Sequence, residues 1–160
     1  MTYMKILVLA IGKTDEAWLD EGMNKYLKRI SRYAKIEFKI LPDPANRKRL
    51  TPDLQKKAES ELILTALERS DELVLLDENG SGFSSRAFAS WLEKKAVDSV
   101  KRMVFVVGGP YGFSDDVKNR ANSIISLSAM TFSHQLVRLI FFEQLYRAFT
   151  IIKGEPYHHD

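Results

Sequence analysis

Apolar residues recur along this chain in two rhythms, and the switches between them divide it into alternating strands and helices. Met4–Ile11 is a short, nearly unbroken apolar run, as in a strand buried on both faces. Thr14 or Asp15 can cap a helix in which Trp18, Leu19, Met23, Tyr26, Leu27 and Ile30 form one stripe ending near Ser31. Lys35–Leu41 alternates Ile36, Phe38 and Ile40 with Glu37 and Lys39, the period of a half-exposed strand. Pro42–Leu50 is a loop with two prolines and the basic run Arg47-Lys48-Arg49. Thr51-Pro52 opens a helix expected to reach about Arg69. Glu72–Asp77 is a second buried strand, closed by a turn at Glu78–Gly82, and Ser84 or Ser85 caps a helix through Ala96. Arg102–Val107 is a third apolar strand and runs into Gly108-Gly109-Pro110-Tyr111-Gly112. A short helix from Ser114 to about Ala121, a strand Ile124–Ser128 and a long helix from about His134 to Lys153 complete the pattern, with Gly154 and Pro156 stopping the last helix.

Strands that are apolar on both faces and alternate with helices predict one α/β domain, a mostly parallel sheet flanked by helices. Such sheets bind ligands beyond the C-terminal ends of their strands. Here those ends are Asp77–Gly82, Gly108–Gly112 and Ser128–Ser133. The last helix departs from the pattern. At about 100° per residue, Leu136, Val137, Leu139, Ile140, Phe141, Phe142, Leu145, Tyr146 and Phe149 cover its whole circumference. An outer helix of a small domain keeps a wet face. A helix with no wet face predicts a second subunit against it, hence a homodimer.

Composition narrows the chemistry. The 160 residues contain no cysteine, which removes disulfides, thiolate metal sites and a cysteine nucleophile. No apolar run approaches the ~20 residues of a membrane span, and Ile6–Ile11 is too short for a signal sequence core, so a cytoplasmic protein without membrane contact is expected. The net charge is +3, unevenly spread: residues 1–57 hold 13 Lys/Arg against 7 Asp/Glu. That basic excess is either a solvated face or a surface for phosphates.

Several motifs fail on spacing. Gly12-Lys13-Thr14 lacks the earlier glycine of a phosphate-binding loop, since Leu7 stands there. Gly108–Gly112 is not the dinucleotide fingerprint, and Pro110 removes an N–H such a cradle would use, which disfavours an oxidoreductase. His134, His158 and His159 lack metal-ligand spacing, so no metal is expected, and no nucleophile elbow surrounds the serines near residues 123–133. What carries weight is the coincidence of two glycine-rich turns and a Ser/Ala-rich segment at successive strand ends. Small residues there let backbone approach a ligand, and backbone groups can pair with an adenine edge.

These residues resemble the SPOUT-class ribosomal RNA methyltransferases of the RlmH (YbeA) type, which methylate N3 of a pseudouridine in large-subunit (23S) rRNA. The matching blocks are Val104–Gly112, Ser126–Arg138, Glu143–Ala148 and Gly154–His158, and the likeness covers the chain. One departure is Ser133, where the family usually has proline before His134; a slightly looser entry to the last helix is expected. The resemblance implies a C-terminal trefoil knot, an obligate homodimer and S-adenosyl-L-methionine as methyl donor. It places donor contacts on Leu76, Gly108, Gly109, Leu127, Ser128, Ala129, Met130, Thr131 and Phe132. It places the substrate on His134, Arg138, Tyr146, Arg147, Tyr157 and His158, with assembled ribosomes as the partner. Arg47, Lys48 and Arg49 are candidate phosphate contacts.

The acceptor N3 carries an imide proton that must leave. Arg138 or Arg147 could supply positive charge beside it, and Tyr157 or His158 could stack on the base. His158 is the candidate general base, with loss of the proton to water as the alternative. A non-catalytic module of the same fold, holding RNA or an adenosyl ligand, is the competing function.

Overall fold

The computed structural model describes residues 4–160. Five strands, β1 (Lys5–Ile11), β2 (Lys35–Leu41), β3 (Glu72–Gly82), β4 (Arg102–Val107) and β5 (Ser123–Ser126), form one sheet in the order β2-β1-β4-β3-β5. Every pairing is parallel. Alternate residues of one strand feed two cores. Ile6, Val8 and Ala10 of β1 pack with α1 (Ala17–Ile30), α3 (Ser85–Val97) and α5 (Leu136–Ile152). Leu7, Leu9 and Ile11 face α2 (Pro52–Ala66) and α4 (Asp115–Arg120). The near-continuous apolar runs of β1, β3 and β4 follow from that two-sided burial.

The helix signals were partly right. Thr51 accepts the Leu54 N–H with Pro52 following, and Ser84 accepts that of Ala87. Ser85 instead bonds Gln144 on α5. Neither Thr14 nor Asp15 caps α1, which starts after Glu16 without a side-chain cap. Thr14 is occupied: its hydroxyl accepts from Arg138, while the Asp15 N–H donates to Gln135. The second helix stops at Ala66, short of Arg69, because Asp71 folds back onto the Glu68 N–H and holds a turn there. The Asp71 carboxylate also takes two hydrogen bonds from Arg102, at 2.8 and 2.6 Å. Burial pushes its pKa up, but the guanidinium bonds outweigh burial and hold it below the usual carboxylate range.

The turn expected at Glu78–Gly82 is a bulge inside a longer strand. β3 pairs with β5 through Leu76, loses register, and resumes at Ser81. Gly80 is needed at that crossing, since a Cβ there would lie 2.6 Å from the Ile124 backbone. Gly80→Ala is expected to destabilise the protein by about 1–3 kcal/mol in urea unfolding, as overpacking against backbone does; unchanged stability would show that the crossing can open. Ser133 also differs from expectation. Its hydroxyl accepts the Leu136 N–H at 3.0 Å, so serine caps the entry to α5 where a loosening was expected.

α5 lies between α1 and α3 and buries Arg138, Phe141, Phe142, Leu145, Ala148, Phe149 and Thr150. Its outer side is half-buried, with Leu136, Ile140 and Ile151 flanking Glu143, Gln144 and Arg147. Residues 153–160 then turn back along α5. Tyr33 stacks on Phe149 and donates to Glu155, and Arg86 of α3 donates to Asp160.

Candidate active site

The three strand ends meet at one cavity of about 490 Å³, large enough for a nucleoside-sized ligand. β3 contributes Leu76–Asn79, the end of β4 contributes Val107–Phe113, the segment after β5 contributes Leu127, Ser128 and Met130–His134, and α5 contributes Val137. Of the nine expected donor contacts, eight line this cavity; Ala129 is exposed and does not. The two glycines are packed tightly from beneath. A Cβ on Gly108 would lie 2.8 Å from the Phe113 ring, and one on Gly109 would lie 2.7 Å from the Glu59 carboxylate. Glu59 is buried, and that burial raises its pKa against the opposing bond from Gln55. Among the residues that line it, Leu76, Val107, Leu127, Phe132 and Val137 are apolar, and Gly108 and Gly109 carry no side chain over their backbone. That mixture fits a flat heteroaromatic ring held by backbone groups.

His134 also borders a second cleft of about 660 Å³, shared with Gly12, Lys13, Asp43, Arg47 and Gln135. Arg47 sits there paired to Asp43 at 3.0 Å, and Arg47–Arg49 form a short 3₁₀ turn that exposes Lys48 and Arg49.

The remaining polar candidates assemble elsewhere. Glu143 accepts from Arg147 Nε (3.1 Å) and from the Tyr157 hydroxyl (3.2 Å), and Arg147 lies over the Tyr157 ring at 4.8 Å. Tyr146 packs edge-on against Tyr157. Arg147 also donates to His158 Nδ1 at 3.1 Å. Because a guanidinium only donates, Nδ1 is the acceptor, and the imidazole proton sits on Nε2, 3.0 Å from Asp160. Burial, then its bonds to Tyr26 and Glu143, push the Tyr157 phenol far above its ordinary value, so it serves as a donor and not as a base. No motif assigns Glu143 or Asp160 a role of its own. The i, i+4 spacing of Glu143 and Arg147 was the one available signal for the first.

Arg138 does not join either group. It is 1% exposed and donates to the carbonyls of Ile11 (2.7 Å) and Gly12 (2.9 Å) and to Thr14. Its guanidinium ties α5 to the end of β1, so the positive charge expected beside a target base is not presented by this residue. Nor do the cavity and the polar cluster meet within one chain. About 15 Å of helical rise separates Val137 on the cavity wall from Arg147, and no residue of the tail lines the cavity.

A parallel α/β sheet with its cavity beyond the strand ends, beside a segment that leads into a central helix, has the arrangement in which open α/β sheets bind ligands. Residues 4–158 match the family described as "Predicted SPOUT methyltransferase", and the chain belongs to that family. As a methyltransferase it uses a methyl donor. It is 54% identical over 156 residues to the ribosomal RNA large subunit methyltransferase H of Christiangramia forsetii, covering 98% of this chain and 99% of the relative. The same-named proteins of Flavobacterium johnsoniae (53%, 98% and 99% covered) and Parabacteroides distasonis (54%, 98% and 100%) are similarly close. Among the described residues, no helix is long and apolar enough to cross a membrane. No group of three or more His, Asp or Glu there could hold a metal ion.

Proposed function

We propose that this protein is a cytoplasmic, homodimeric methyltransferase that transfers the methyl group of S-adenosylmethionine to N3 of a pseudouridine in large-subunit ribosomal RNA on the assembled ribosome. The observation that carries the reading is the cavity at the three strand ends, combined with relatives that cover the chain end to end under one name. Its apolar lining residues and bare glycine backbone suit an adenosine. When bound, the donor supplies an activated methyl group on a sulfonium whose departure is neutral. The protein's part is to hold acceptor and donor in line.

The separation of cavity and polar cluster supports a site shared between subunits. The half-buried outer stripe of α5 is apolar at Leu136, Ile140 and Ile151 and lies beside the cluster, as a dimer seam needs. Across a two-fold, the tail of one chain faces the cavity of the other. Return of the chain from the sheet edge at β5 to α5, between α1 and α3, supports the trefoil knot. At the acceptor, Arg147 provides charge toward the developing imide anion, and Tyr157 presents its ring and hydroxyl. His158 takes the N3 proton at Nδ1 after the imide N–H displaces Arg147, with Asp160 fixing the tautomer. His158→Ala is expected to lower the rate of methyl transfer by about a hundredfold or more; full methylation would remove the base role.

The basic turn and the cleft beside His134 offer a track for flanking RNA. Replacing Arg47, Lys48 and Arg49 with glutamine is expected to flatten the salt dependence of ribosome binding by about two units of log–log slope; an unchanged slope would exclude the turn.

The deciding experiment is transfer of labelled methyl groups to intact ribosomes and to naked rRNA. Incorporation at a pseudouridine N3 in ribosomes supports the proposal. Donor binding with no transfer to either substrate would favour a non-catalytic module.

A further inference from the structure

We propose that Lys56 and Lys118 form the subsite for the carboxylate of the donor's amino-acid tail, with Asp77 turned toward its ammonium group. This rests on the reading that the cavity holds S-adenosylmethionine. The cavity is chemically divided. Beside its apolar residues the lining carries Lys56 from α2, Lys118 from α4, and Asp77 and Glu78 from β3. An adenosine does not need those charges. A zwitterionic tail does, because removing its two charged groups from water is costly without opposite partners.

The fold does not use the two lysines. Among the described residues neither ammonium makes an ion pair or a hydrogen bond, whereas the Glu78 carboxylate is already taken by Thr131. Their positions are nevertheless fixed relative to each other. Ser60 of α2 and Ser114, the cap of α4, share a hydrogen bond between their hydroxyls. Lys56 lies one turn before that joint, its carbonyl accepting from Ser60, and Lys118 lies one turn after it, its N–H donating to the Ser114 carbonyl. One joint between two helices thus sets both lysines, Lys118 exposed, on the lining of one cavity. Asp77 is also held: its Oδ1 accepts the Asn79 N–H at 2.9 Å, and its Oδ2 lies 3.9 Å from where a Gly112 Cβ would be.

Calorimetry on the full-length protein tests this with two probes. S-adenosylmethionine carries the tail, and 5′-methylthioadenosine keeps the nucleoside without it. Lys56→Gln and Lys118→Gln are each expected to weaken S-adenosylmethionine about three- to fivefold and together about tenfold, as for partly exposed ion pairs. Methylthioadenosine affinity should be unchanged, and added salt should shrink the advantage of the tailed ligand. Equal loss of both ligands, or no loss in the double variant, overturns the subsite. Loss of ribosome binding with S-adenosylmethionine affinity intact reassigns the lysines to RNA. A wild-type protein that binds methylthioadenosine but gains nothing from the tail also overturns the subsite while leaving the nucleoside cavity standing. A wild-type protein that binds neither overturns the cavity's assignment itself.

Discussion

Mixing two inactive variants is expected to restore methyl transfer. Ser128→Trp fills the donor cavity of its own chain, and the double variant Arg147→Ala, His158→Ala removes the acceptor cluster. Each alone should lower the rate on ribosomes by at least about a hundredfold, the usual scale for loss of a donor or a proton acceptor. Co-expressed chains that pair at random form mixed dimers half the time. One of the two sites in each mixed dimer then joins an intact cavity to an intact cluster, so about a quarter of wild-type activity returns. If cavity and cluster instead served the same chain, the mixture would stay at background. The expectation follows from the placement of Arg147 and His158 well along α5 from the cavity and from the half-buried apolar stripe between them.

Arg138→Ala is expected to cost about 3–5 kcal/mol, because each stranded buried carbonyl costs about 1–3 kcal/mol. The loss strands the carbonyls of Ile11 and Gly12, which the guanidinium now satisfies, and opens space beneath α5. In a chain of this size that corresponds to a fall of roughly 10–20 °C in Tm, read at fixed protein concentration because a dimer's stability depends on it. Arg138→Lys should recover only part of it, since one ammonium cannot reach both carbonyls and Thr14 in the fork geometry of a guanidinium. Burial lowers the pKa of Arg138, yet its three acceptors favour the cation. A variant with wild-type stability and no methyl transfer would return Arg138 to the chemistry and refute the structural role.

Much of the site was readable because its residues are contiguous. The glycine turn Gly108–Gly112 lines the cavity, and so does the Ser128–Ser133 segment apart from Ala129, at positions that strand ends alone pointed to, since a parallel sheet binds ligands beyond the ends of its strands. Leu76 required the family resemblance, as nothing distinguishes it from the other leucines of its strand. For Arg138, sequence gives charge without burial. An arginine on an apolar helix beside a conspicuous motif looks functional until its terminal nitrogens are seen to bond the carbonyls of Ile11 and Gly12, with Nε buried and unpaired. Lys56 and Lys118 carried no signal, being ordinary polar residues on separate helices, whereas Asp77 stood at one of the strand ends.

The sequence by itself determined the α/β class, the order of ten strands and helices and two of the caps that start them, because periodicity and capping are local properties of the chain. It also marked the apolar helix. Tertiary structure alone decided which residues meet. It placed β3 between β4 and β5, converted an expected turn into a bulge over the cavity, buried Arg138, and set the Tyr157–His158 tail against Glu143 and Arg147, away from the donor cavity. Those outcomes depend on contacts between residues far apart in sequence, whose energies come from burial and hydrogen-bond satisfaction that no local pattern encodes.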